Sequence, residues 1–169
     1  EDGFFFEDVS LAAGLGVNQY LGWGILFEDF DEDGLPDILL AHGHVYPEVE
    51  GSAIGESYRQ PTILYLNLGN GRFLDVTERS GPALQVDRPA RGLASGDLDG
   101  DGRPEVVVVN VNAPPSLLKD EAPGANRLWI RLEGKESNRS AIGARVTVTV
   151  GDRAQRRDVT GGGSYYTQS

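Results

Sequence analysis

Apolar residues in this chain come in short runs, cut apart by Gly, Pro, Asn and Asp, and no window of 11 residues holds a convincing stripe at helical spacing. The nearest candidate, 7–16, is weakened by two glycines. The pattern therefore predicts strands near 4–9, 21–27, 38–41 and 63–67. A second series lies near 73–76, 93–95, 106–111 and 127–132. Beyond them, 144–150 alternates strictly, with Val146, Val148 and Val150 on one face and Thr147 and Thr149 on the other. Residues 153–159 can return as its hairpin partner through a turn at Gly151-Asp152. The expected class is all-β.

The two series repeat one another. Asp29-Phe-Asp-Glu-Asp-Gly-Leu-Pro-Asp37 recurs as Asp97-Leu-Asp-Gly-Asp-Gly-Arg-Pro-Glu105 after 68 residues, and Phe6-Glu-Asp-Val-Ser10 recurs as Phe73-Leu-Asp-Val-Thr77 after 67. Gly24 matches Gly92, and each acidic loop leads into an apolar run. Each unit reads as about four short strands, the pattern of a propeller blade. The expected units are 1–68 and 69–132, followed by a β segment over 133–169. Two blades are fewer than the four to eight that close a propeller, so a fragment, a capped stack or a subunit sharing strands with its neighbours is expected.

The repeated loop carries the chemistry. Its spacing sets side-chain oxygens at positions 1, 3, 5 and 9, with Gly34 or Gly102 turning the chain at position 6 so that a carbonyl can point inward from position 7. Calcium takes six to eight oxygens at about 2.3–2.6 Å. The expected ligands of a first ion are Asp29, Asp31, Asp33, the Leu35 carbonyl and Asp37; those of a second are Asp97, Asp99, Asp101, the Arg103 carbonyl and Glu105. An EF-hand is excluded, because it needs Glu at position 12 and flanking helices, and position 12 is Leu40 or Val108 in strand-like runs. Magnesium suits such a cage less, since it retains its waters.

Charge and composition narrow the partners. The net charge is −11, with 22 acids and 7 bases in residues 1–126 and 4 acids and 8 bases in 127–169. An acidic body repels nucleic acid and anionic lipid, and no apolar run is long enough for a membrane span. The basic end is expected to dock on an acidic surface of its own chain or a neighbour's. There is no Cys, hence neither disulfide nor thiolate chemistry, and no Met, from which a mature form or a fragment is expected.

The repeated loop, with a Gly-rich strand before it and an apolar strand after it, resembles the FG-GAP/VCBS repeats of integrin-like β-propellers. Ser137-Asn-Arg-Ser-Ala-Ile-Gly-Ala-Arg-Val146, with Gln155-Arg-Arg-Asp-Val159 and Gly161-Gly-Gly-Ser-Tyr-Tyr-Thr-Gln-Ser169, is similar to the ASPIC/UnbV domain, which follows such repeats in the cartilage acidic protein family. Gly43-His-Val-Tyr-Pro-Glu48 also fits that family. The resemblance implies about two calcium-stabilised blades and a β-hairpin from the ASPIC/UnbV-like segment. It also implies an extracellular location and an adhesive or structural role without catalysis. Glu105 departs from the motif, which has Asp there, and the ASPIC/UnbV pattern stops at Ser169.

Other constellations carry less. His42, His44 and Glu48 could form a metal group, but the resemblance puts them in a turn after a strand. With two His, no Ser-His-Asp set can be placed. Metal-bound carboxylates make poor general acids for a glycosidase. Asn138-Arg-Ser140 is a formal glycosylation sequon inside the ASPIC/UnbV pattern. Trp23, Trp129, Tyr165 and Tyr166 suit core or blade-interface packing better than sugar stacking. Three functions follow, in descending order: a structural or adhesive extracellular module with a protein partner; a self-associating subunit that builds a homo-oligomer or filament by completing its sheets with neighbours; and a carbohydrate-binding or hydrolytic domain.

Overall fold

The computed structural model describes residues 5–16, 18–53, 55–121, 128, 130–162 and 165. Its strands form three antiparallel sheets. The first sheet is β1 (Gly22–Glu28), β2 (Asp37–His42), β3 (Ile63–Gly69) and β4 (Arg72–Asp75), paired in chain order. The second is β5 (Ala90–Gly96), β6 (Glu105–Asn110) and β7 (Ser116–Leu118). The third is the hairpin of β8 (Arg145–Val150) and β9 (Arg153–Asp158), in the expected register about Gly151-Asp152.

The first two sheets stack face to face. Leu39, Ala41 and Leu64 of the first meet Leu93, Val106 and Val108 of the second, and Val76 and Leu84 close the same cluster. Strand alternation sends the other faces outward: Ile38, Ile63 and Tyr65 form a smaller cluster with Leu15, Ile25, Leu40 and Phe73 on the far side of the first sheet. The stack is tightest at Gly24, where an added Cβ would stand 3.1 Å from both the Arg91 carbonyl oxygen and the Leu93 amide nitrogen. Gly24 thus lets the backbones of β1 and β5 touch, which explains its place in the repeat.

Two expected strands are corrected, and a third forms as expected but in the first sheet. The described residues of 4–9 form no strand, and Phe5 and Phe6 are 94% and 99% exposed. The apolar pattern is strand-like, but among the described residues no strand pairs with it. Residues 73–76, read as opening the second unit, instead close the first sheet: Leu74 pairs with Leu66 and Asp75 with Tyr65. Repeat and sheet are therefore out of phase. Finally, the described residues of 127–132 are irregular, and the third strand of the second sheet is β7, where Leu118 pairs with Val106. Leu128, Ile130 and Leu132 instead border a cavity of about 640 Å³ with Val146 and Val148 of the hairpin.

The hairpin keeps its predicted faces in part: Val146 and Val148 are half-buried and Thr147 and Thr149 exposed, but Val150 is 75% exposed at the turn. Among the described residues no helix is long and apolar enough to cross a membrane.

Candidate metal centres

Both acidic loops fold on the same hydrogen-bond plan, in which carboxylates capture backbone amides. Gly34 N–H donates to Asp29 Oδ2 at 2.9 Å, and Gly102 N–H to Asp97 Oδ2 at 3.1 Å. Asp31 Oδ1 accepts from Asp33 N–H and Asp99 Oδ1 from Asp101 N–H, at 3.2 and 3.1 Å. Asp33 Oδ1 accepts from the Leu35 amide and Asp101 Oδ1 from the Arg103 amide, at 2.7 and 2.8 Å. The ninth residue closes each loop: Asp37 Oδ2 accepts from Phe30 N–H and Glu105 Oε2 from Leu98 N–H, both at 2.8 Å. These contacts wrap each loop and bring three of its four carboxylates together. Gly34, at φ 92°, supplies the left-handed turn, and a side chain there would strike Gln155.

The carboxylates gather in two triads. Asp29, Asp31 and Asp33 bring one oxygen each to within 4.8 Å of one another, and so do Asp97, Asp99 and Glu105. Asp37 and Asp101 lie outside these triads. Asp37 is fully buried and uses its second oxygen to accept from Asn67 N–H at 2.8 Å. Asp101 turns to Lys119, whose ammonium also pairs with Asp99 and stands 3.8 Å from Glu105. Lys119 is the residue that sequence reasoning missed, since nothing in its spacing marks it as a neighbour of the second loop.

Electrostatics fit a site that lacks enough positive charge. Burial raises the Asp37 carboxyl to about 6, and Asp31 and Asp29 add to the rise. Burial likewise raises Asp29, with Asp33 and Asp31 contributing. In the second loop Asp101 is held below the usual range by the hydrogen bond from Lys119, which is raised in turn by Asp99 and Asp101. Two buried carboxylate oxygens accept no hydrogen bond, Asp29 Oδ1 and Glu105 Oε1, and Glu105 as a whole is only 2% exposed. An oxygen withdrawn from water without a donor is costly unless a cation meets it. The residues present therefore fit a hard divalent ion in each loop.

Two links tie the loops into the molecule. Arg103 reaches from the second loop to Glu32 in the first, at 3.4 Å. The basic hairpin covers the first loop: Arg157 stands 3.7 Å from Asp29 Oδ2, and Arg153 donates to the Asp33 carbonyl at 3.0 Å. The basic end thus docks on an acidic surface of its own chain.

The other sequence candidates are structural. His42 is buried, its Nδ1 is 2.8 Å from the Pro61 carbonyl, and burial lowers its pKa. His44 pairs with Glu56 at 2.8 Å rather than with Glu48. Asn138 uses both ends of its side-chain amide on the Ile142 backbone. Trp23 donates to the Gly43 carbonyl, lies under the Arg91 guanidinium and meets Tyr165 at 5.3 Å between ring centroids. Trp129 and Tyr166 lie outside the described residues.

Comparison with known proteins gives two family matches, an FG-GAP-like repeat over residues 29–108 and "ASPIC and UnbV" over 134–169. Cartilage acidic protein 1 of Xenopus tropicalis is 28% identical over 110 residues. That alignment takes in 64% of this chain but only 14% of the length of that protein.

Proposed function

Since the chain joins an FG-GAP-like repeat region to an ASPIC and UnbV segment, we propose that it is an extracellular, non-catalytic β-repeat module, stabilised by calcium in its two acidic loops and structural or adhesive in role. The single observation that carries the metal assignment is the buried Glu105 Oε1, which accepts no hydrogen bond although Glu105 lies in the Asp97–Asp99–Glu105 triad, with only the Lys119 ammonium 3.8 Å away. The extracellular reading draws on the relative whose name places it in cartilage.

Asp29, Asp31, Asp33 and Asp37 would hold one ion, with the Leu35 carbonyl, and Asp97, Asp99, Asp101 and Glu105 the other, with the Arg103 carbonyl. Bound calcium supplies the positive charge that these carboxylates lack. The residues themselves fix the strand-to-strand turns from β1 to β2 and from β5 to β6, so occupancy and sheet geometry are coupled. Extracellular modules bind calcium with Kd of roughly 0.1–1 mM, which at millimolar calcium stabilises the fold by about 0.5–1.5 kcal/mol per site.

Titration calorimetry with calcium and magnesium, paired with thermal melts, tests this reading. Asp31→Ala and Asp99→Ala should each abolish one site and lower Tm when calcium is present. Equal losses in calcium and in chelator would count against the metal assignment.

A further inference from the structure

The two stacked sheets differ by one strand. The first ends in β4, whereas the outer edge of β7 pairs with no strand among the described residues. The sequence of β4 belongs to Phe73-Leu-Asp-Val-Thr77, and among the described residues its copy Phe6-Glu-Asp-Val-Ser10 pairs with no strand. The two segments nonetheless share a local shape. Thr77 donates from its amide and hydroxyl to Asp75 Oδ1, at 2.9 and 2.7 Å. Ser10 does the same to Asp8, with the amide at 3.0 Å. Beside β4 this turn secures the edge, because Thr77 Oγ1 accepts from Leu64 N–H and Val76 N–H donates to the Leu64 carbonyl, at 3.0 and 2.9 Å. Segment 5–10 thus carries the turn that follows a fourth strand, and among the described residues no third strand pairs with it.

The space for a fourth strand exists on the second sheet. An apolar cavity of about 890 Å³ lies between the sheets alongside β7, lined by Leu39, Leu66 and Leu74 on one side and Val106, Pro104 and Leu118 on the other. Register predicts what would fill it. Ile38, Tyr65 and Asp75 stand side by side across β2, β3 and β4, and Val106 and Leu118 are their counterparts on β6 and β7. Asp8 then falls opposite Leu118, Glu7 opposite Lys119, and Ser10 beside the Leu117 amide. Side chains two apart share a face, so Phe6 points with Leu118 into the cavity. Phe73 already sits this way in the first sheet, against Ile38, Ile63 and Tyr65. Where the first sheet sets Leu74 against Leu66, the second would set Glu7 against Lys119, a pair of opposite charge.

Ala13 accepts from Phe73 N–H at 2.7 Å, which anchors the segment on the far edge of β4. We propose that segment 5–10 of one copy adds as a fourth strand to β7 of a second copy, with Phe6 seated between the sheets. Donor and acceptor are different surfaces on each chain, so the contact repeats head to tail and builds open chains of subunits.

Because the protein has no Cys, the pairing can be trapped directly. A Glu7→Cys chain mixed with a Lys119→Cys chain should cross-link between copies under mild oxidation, and Glu7→Cys with Val150→Cys should not. Light scattering over a concentration series should give a mass that grows with concentration. Phe6→Ser should weaken this association by about tenfold or more, because it removes a large apolar anchor. The melting temperature of the isolated chain should not move, as Phe6 is 99% exposed there. Runs in calcium and in chelator keep this result separate from the metal assignment. A monomer at every concentration, or an oligomer that Phe6→Ser leaves intact, would overturn the proposal.

Discussion

At the ninth loop position the two copies part company. Asp37 spends both oxygens on backbone amides, from Phe30 and Asn67, whereas Glu105 is one methylene longer and its Oε1 accepts no hydrogen bond. Lys119 is the partial remedy, an ammonium lying where the second loop gathers its negative charge. On the proposed metal assignment, a lysine in that place would compete with a divalent ion. Lys119→Met should raise the calcium affinity of the second loop about two- to fivefold, the range of exposed ion pairs, and leave the first loop unchanged. Calorimetry that finds equal affinity in both proteins would remove Lys119 from the site. Asp37 gives a pH signature. Its carboxyl is raised to about 6 in the fold against 3.8 in the open chain, so its contribution is fully present below the lower value and is lost as pH rises through the upper one. In chelator, Tm of the native protein relative to Asp37→Asn should therefore fall between about pH 4 and 6. A constant difference across that range would show that Asp37 is not the group responsible.

The strands show where a sequence pattern informs and where it stops. The cores of β1, β2, β3, β5 and β6 were legible because apolar runs bounded by Gly, Asn and Asp have few other uses. The β8–β9 hairpin was legible from alternation alone. β7 was not, since three residues behind Pro114-Pro115 carry too little periodicity to stand out from a loop. Segment 5–10 failed the opposite way: its pattern is that of a strand, yet periodicity assigns a face and never a partner. The acidic loops were the most legible part, because their spacing is itself the chemistry, but the lysine and arginines that approach them come from distant segments. The hairpin is the test at this scale. Arg153→Ala with Arg157→Ala should speed amide exchange in β8 and β9 by about two- to tenfold, more at low salt, and leave the stacked sheets as they were. Unchanged exchange would mean that the two arginines do not hold the hairpin on the first loop.

At the scale of the whole chain, the sheets form a stack with one shared core, and its outward faces are unequal. The far face of the first sheet is closed by Leu15 and Phe73 over Ile38, Ile63 and Tyr65, whereas the second sheet presents Leu117 at 60% and Val109 at 38% exposure. The repeat in the sequence is offset from the sheets it builds, because the opening segment of the second unit lies on the sheet of the first. Bricks laid in running bond share this property: each joint falls against the body of a neighbour. Inserting one more unit of 67 or 68 residues in phase would lengthen the stack by a sheet and leave segment 5–10 and the outer edge of β7, as they stand among the described residues, unchanged. On the proposed pairing the number of sheets is thus free to vary, while the valence of donor and acceptor and the direction of the whole, like that of an arrow, stay fixed.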